Sequence, residues 1–165
     1  MLAPWYAQKM RVPLCIVLLS ATACLAPPAA SERATDAARS LNVAARFGRM
    51  DVALGLTADA VRKSFLEHRA AWGKDVRVMD VELVGFDMPS GDRAHVEVEY
   101  AWSRVDESLL RSTRVSQEWR DVGGGFRLTR EKRSGGDLGL FGEALPAPAD
   151  PSPRRDAQFA TKVIQ

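Results

Sequence analysis

Cysteine, histidine and tyrosine are each present only twice in 165 residues. With only Cys15 and Cys24 there is no C-x-x-C pair and no disulfide framework. His68 and His95 have no partner at metal-ligand spacing, so a structural zinc site is not expected. No G-x-S-x-G elbow marks a nucleophile. The glycine-rich "GDLGLFG" of Gly136–Gly142 leads into a proline-rich tail, not into the helix that a phosphate-cradling loop must open. The chain also lacks an apolar run of about 20 residues, the length needed to cross a bilayer. Its charge has no strong sign, with 23 Lys and Arg against 21 Asp and Glu. The cations are interspersed with carboxylates along the chain, a poor footprint for nucleic acid, and no nucleic-acid partner is expected. No residue set points to a catalytic centre, a metal or a cofactor.

What the sequence does have begins at its start. Lys9 and Arg11 precede the short apolar run Val12–Leu19, and small residues follow it. A basic start, a short apolar middle and a small-residue finish read as a secretory signal over residues 1–23, with Met1 or Met10 as initiator. Ala21-Thr22-Ala23 fits the A-x-A cleavage rule, so cleavage falls before Cys24. Removing the leader takes Cys15, Lys9 and Arg11 with it and leaves 21 cations against 21 carboxylates. It also leaves Cys24 unpaired in an exported chain. Three outcomes follow for Cys24: lipidation, plain export with a free thiol, or retention as an uncleaved anchor. Acylation removes the free thiol and is the favoured reading.

The rest of the chain divides by pattern. Residues 24–34 read as a tether, with Pro27-Pro28 resisting helix. From Thr35 the period turns helical. Leu41, Ala45 and Gly48, with Ala37, Ala38 and Ala44, make a small-residue packing face, while Arg33, Arg39, Asn42 and Arg46 fall on the other side. A second helix is expected at Met50–Leu56. A third runs from a Thr57 cap through Val61, Phe65, His68 and Trp72 to Gly73, with Arg62, Lys63, Glu67 and Arg69 facing water. Four strands follow at Val76–Met88, Ala94–Arg104, Leu109–Arg120 and Phe126–Lys132, joined by "MPSGDR" and "DVGGG" turns.

The expected fold is therefore α+β. About three N-terminal helices pack on one face of a curved, four-stranded antiparallel meander over residues 35–133. A Gly-rich segment, 134–143, which can lie against the domain through Leu138, Leu140 and Phe141, and a Pro/Ala-rich extended or disordered tail, 144–165, come after it. Tyr100, Trp102, Arg104, Arg111, Thr113, Gln117 and Trp119 share the inward parity. Of these, Tyr100, Trp102, Arg111, Thr113, Gln117 and Trp119 are candidate pocket-lining residues. The carboxylates Asp80, Glu82, Glu97 and Glu99 alternate onto the polar face, where cross-strand charge pairing accounts for them. No acidic residue is expected on the inner face; Asp80 needs a bulge to turn inward.

Two resemblances rest on these residues. Ala21-Thr22-Ala23-Cys24 resembles the bacterial lipobox, departing from it by Ala21 where Leu is usual. That resemblance implies lipid attachment at Cys24, a bacterial cell-envelope location and, with Leu25 after the cysteine, outer-membrane sorting. Helices followed by strands ending in "QEWRDVGGGFRLTREKR", together with "FLEHRAAWGKDVRVMDVEL" over Phe65–Leu83, resemble the nuclear-transport-factor-2-like (cystatin-like) superfamily. This second resemblance implies a cone-shaped domain, sometimes with a cavity. It implies two kinds of use: a non-catalytic interaction or small-ligand-binding domain with an envelope protein partner, or a small cavity enzyme of isomerase or dehydratase type using Tyr100. A further reading takes Leu138–Phe141 as a chaperone-like grip on a partner.

Overall fold

The computed structural model describes residues 27–145. Cys24, the leader and the chain beyond Leu145 lie outside them. Helices come first: α1 at Ala30–Arg46, α2 at Met50–Gly55, a 3₁₀ turn at Asp59–Val61 and α3 at Arg62–His68. Four strands follow, β1 at Val76–Ser90, β2 at Arg93–Arg104, β3 at Leu110–Val122 and β4 at Gly125–Gly136. They form one open antiparallel sheet in the order β1-β2-β3-β4. Among the described residues no helix is long and apolar enough to cross a membrane.

The expected α+β class and the meander hold, but the helices differ in three ways. First, α1 starts at Ala30 and not at Thr35, so much of the expected 24–34 tether is helix. Glu32 reaches back to accept the Ala29 N–H at 3.1 Å, Arg33 pairs with Asp121 at 2.9 Å, and Ala34 is fully buried. Long-range packing thus recruits a turn that the proline pair alone gave no reason to expect. Second, the third helix is cut short. Thr57 does not cap it; its hydroxyl donates to the Ala53 carbonyl at 2.9 Å, and its backbone bridges to Leu128 on β4. The helix therefore starts late, as a 3₁₀ turn, and stops at His68, leaving Trp72 in a turn before β1. Among the described residues only α1 and α3 reach seven residues. Third, Asn42 and Arg69, both expected in water, are buried.

The strands follow the expected alternation closely. Val96, Val98, Tyr100 and Trp102 on β2, with Thr113, Val115, Gln117 and Trp119 on β3, are buried against the helices. The opposite face carries Glu99, which accepts from Ser112 at 2.9 Å and from Arg114 at 3.0 Å, and Glu97, which accepts from Ser134 at 2.7 Å. Gly123 and Gly124 join β3 to β4 with φ of +64° and +89°. Two successive positive φ values suit a two-residue hairpin turn and are costly for any residue with a Cβ.

Bulges modify the parity. An irregularity between Val78 and Asp80 leaves Met79 unpaired and half-exposed, and switches the inward set from Val76 and Val78 to Val81 and Leu83. Alternation with Asp80 and Glu82 on the polar face puts Met79 inside; the bulge removes it. Asp80 stays outside and pairs with Arg46 at 3.0 Å. The edge of β4 is partly closed by the α2–3₁₀ connection, where Ala58 N–H donates to Leu128 O and Leu128 N–H donates to Leu56 O, both at 2.9 Å.

Candidate functional site

A second bulge, on β4, creates the most unusual chemistry in the domain. Trp119 pairs with Leu128 but Glu118 pairs with Arg130, so Thr129 is the extra residue, and its hydroxyl donates to the Glu118 carbonyl at 3.0 Å. Simple alternation from Phe126 and Leu128 would bring Arg130 inward. The bulge brings Glu131 instead, opposite Gln117, with its side chain 5% exposed. The expectation that no carboxylate occupies the inner face is thereby overturned.

Glu131 is met by two neighbours in the chain. Arg69 donates to it with both terminal nitrogens, at 2.5 and 2.9 Å, in a bidentate pair. His68 Nδ1 lies 3.0 Å from the same carboxylate; because a carboxylate only accepts, this contact puts the proton on Nδ1. Arg69 also donates to the Phe65 carbonyl at 3.2 Å, and its guanidinium carbon lies 3.6 Å from the Phe65 ring centroid and 4.9 Å from that of Trp72. Arg69 turns inward because α3 ends one residue before it; with φ −109° and ψ 9° the helical period no longer sets its direction. Burial alone would raise the Glu131 carboxyl, but Arg69 and His68 outweigh it and hold the pKa below the ordinary value. Burial opposes the Arg69 charge as well, and Glu131 more than compensates.

Beside this ion pair lies a second buried group. The Tyr100 hydroxyl donates to Asn42 Oδ1, Gln117 Nε2 donates to the same oxygen at 2.9 Å, and Asn42 Nδ2 donates to Gln117 Oε1 at 3.0 Å and to the Ala38 carbonyl at 2.8 Å. Every polar atom of the Asn42 side chain is used, which accounts for a helix residue that the apolar period left outside. Burial, first of all, pushes the Tyr100 phenol well above its ordinary pKa; Arg69 opposes this and Glu131 adds to it. Trp72 meets Tyr100 edge-on, with centroids 5.5 Å apart, and links the two groups.

Over this floor runs the segment Asp137–Leu145, entered through Gly136 at φ +77° and containing Gly139 at +110° and Gly142 at +82°. Its root is tied to β3: Asp137 N–H donates to Ser112 O at 2.7 Å, Ser112 N–H to Asp137 Oδ2 at 2.9 Å, and the Thr113 hydroxyl to Asp137 O at 2.7 Å. Trp102 Nε1 donates to that same Thr113 hydroxyl at 2.9 Å. Beyond the root, Leu140 is fully buried and its carbonyl accepts from Trp72 Nε1 at 2.9 Å. The Phe141 ring stacks on His68, 4.4 Å between centroids and 10° between planes. Glu143 braces the loop from within, accepting from Gly139 N–H at 3.0 Å and Phe141 N–H at 2.9 Å.

Comparison with known proteins adds a fold and no function. No family model matches the chain, and no curated protein matches it. Among solved structures the chain is similar to the solution structure of a SEC-C motif containing protein from Rhodopseudomonas palustris. The two are 19% identical with a TM-score of 0.53, over 72% of this chain and 87% of that one. At that identity the likeness concerns the backbone arrangement alone.

The candidate residues named from sequence thus occupy different settings. Tyr100 and Gln117 belong to the Asn42 group, while Trp102 and Thr113 hold the root of the strap. Trp119 is 1% exposed and its Nε1 has no hydrogen-bond partner. Arg111 sits at the rim, paired with Glu107 at 2.7 Å and 5.7 Å from the Trp102 ring centroid. Arg104 is turned to solvent and paired with Asp106. Sequence reasoning missed Glu131, Arg69 and Asn42. Among the described residues no three His, Cys, Asp or Glu side chains are grouped to hold a metal ion.

Proposed function

We propose that this chain is a non-catalytic interaction or small-ligand-binding domain of nuclear-transport-factor-2-like type, tethered to a bacterial envelope membrane through a lipid on Cys24. The single observation that carries the non-catalytic part is the commitment of the inner-face groups to one another. Glu131 is held ionised by Arg69, and Tyr100 is a buried donor to Asn42. Neither is poised to exchange a proton near neutral pH. The helices ahead of a four-stranded antiparallel meander support the family reading. The tether reading rests on the A-T-A-C sequence alone.

Two experiments test this. Replacing Cys24 with Ser should abolish fatty-acid labelling of the full chain expressed in a bacterium; unchanged labelling refutes the anchor. Cross-linking of the tethered chain in envelope fractions should capture a specific protein or ligand through some face of the domain; finding none refutes the interaction role.

A cavity enzyme of isomerase or dehydratase type is the second reading. One observation favours it: Tyr100 and the Glu131 carboxylate share the inner face. It needs free space around them, and Phe65, Trp102 and Trp119 bury their side chains in that interior. A Glu131→Gln variant that retains any turnover found for the wild type removes this reading.

A further inference from the structure

The strap and its floor differ in how they are held. Arg69 is fixed by Glu131, by the Phe65 carbonyl and by the Phe65 ring, none of them part of the strap. Trp72 is oriented by Tyr100 from the sheet. The floor is therefore formed from α3, the turn after it, β2 and β4, and its ion pair does not draw on the strap. Above it, the strap's interior contacts are few and of a generic kind. Trp72 Nε1 donates to a main-chain carbonyl, an aliphatic side chain is buried, and an aromatic ring lies flat on His68 with its centroid 5.8 Å from the Arg69 guanidinium. A peptide that places an aliphatic residue followed by an aromatic one in a tight turn offers the same three features.

The strap is also made to come away. Gly136, Gly139 and Gly142 lose more conformational freedom on being ordered than other residues do, so releasing them is favoured entropically. Past its root, the Gly139 and Phe141 N–H groups are satisfied by the strap's own Glu143 and not by the floor. Lifting it breaks the Trp72 bond, the Glu143–Arg133 ion pair at 3.5 Å, the close approach of Gly139 to Trp102 and the Leu140 and Phe141 packing, while the two Glu143 hydrogen bonds travel with it.

We infer that the floor formed by His68, Arg69, Trp72 and Tyr100 is a binding site for an apolar peptide turn of a partner protein, with an aliphatic–aromatic pair at its tip, and that Leu140–Phe141, held in a turn closed by Gly142 N–H donating to Gly139 O at 3.2 Å, is its built-in occupant. This rests on the interaction-domain reading and gives it a partner chemistry. Entry requires the strap to open, and the affinity is reduced by the fraction of molecules that are closed.

The test uses the full chain and a fluorescein-labelled synthetic peptide copying Asp137–Leu145, read by anisotropy. A Leu140→Ser/Phe141→Ser variant, with its occupant gone, should bind the peptide more tightly than the wild type by about thirtyfold or more. A peptide carrying the same two serines should bind neither. Equal binding by variant and wild type, or binding of an apolar dye without any of the peptide, overturns the inference. If the variant does not fold, amide hydrogen exchange on the wild type decides. Saturating peptide should speed exchange several-fold at Leu140, which is fully buried while the strap is closed, and no change overturns the inference. Capture of a partner through another face, with the peptide inert, overturns this inference and leaves the interaction-domain reading standing.

Discussion

Removing one partner of the Arg69–Glu131 pair should destabilise the domain far more than removing both. The pair is buried, with side chains 1% and 5% exposed, so a lone survivor keeps its desolvation cost without its counter-charge. Glu131→Gln and Arg69→Met should each cost about 3–5 kcal/mol. That is a large share of the roughly 10 kcal/mol that holds a domain of this size together. The double variant Arg69→Met/Glu131→Leu should come within about 1 kcal/mol of wild type, because apolar groups of similar volume often replace a buried pair at little cost. Arg69 Nε adds to this expectation. It is buried without a hydrogen-bond partner, a penalty of about 1–3 kcal/mol that leaves with the arginine.

Urea unfolding followed by tryptophan fluorescence reads the effect, with Trp72 reporting from 4.9 Å away. At a slope of about 2 kcal/mol per molar, each single variant lowers the midpoint by roughly 2 M, and the double variant restores most of it. Acid titration supplies an independent sign. The folded Glu131 pKa lies below its unfolded value of about 4.3, so its contribution is complete above that value and is lost as pH falls through the lower folded one. Wild type should lose stability in this window more steeply than Glu131→Gln. A Glu131→Gln cost under about 1 kcal/mol, or a double variant as unstable as the singles, refutes the reasoning.

Three further outcomes are expected. Gly136→Ala places a Cβ 2.3 Å from the Ser112 carbonyl oxygen at φ +77° and should destabilise by more than about 2 kcal/mol in the same urea assay. Asn42→Ala strands the Tyr100 hydroxyl and both amide atoms of Gln117, and should cost about 2–4 kcal/mol by thermal melting, whereas Tyr100→Phe should cost only about 1 kcal/mol. Leu140→Ala should cost about 2–5 kcal/mol in urea, since its side chain is fully buried.

The sheet was legible because its two periods are clean. β2 and β3 alternate over ten residues, and the glycines of "DVGGG" hold the two positive φ values that a tight hairpin needs. The site was not, and each miss has a local cause. Asn42 reads with the arginines, opposite the small-residue face of α1, yet it is buried one turn after Ala38; only Tyr100 and Gln117, 58 and 75 residues away, give it side-chain partners. Arg69 reads as the polar side of a helix running to Gly73, and that helix stops at His68. Leu140 and Phe141 fit two readings of the Gly-rich segment, contact with the domain or a grip on a partner, and Leu140 is in the core with Phe141 stacked on His68.

Glu131 shows why parity fails at the places that matter chemically. One unpaired residue, Thr129, exchanges Arg130 for Glu131 on the inner face, and the whole ion pair depends on that exchange. The bulge between Val78 and Asp80 acts in the opposite direction, keeping Asp80 outside where alternation from Val76 and Val78 would bury it. In one sheet, then, two bulges determine which carboxylate is buried and which is solvated. An arginine just past the end of a short helix has a partner only because of the first. Sequence alternation predicts the apolar core well, since a misplaced valine is corrected by its neighbours along the strand. It predicts the buried charge poorly, because a single extra residue reverses the assignment and nothing apolar nearby records the change.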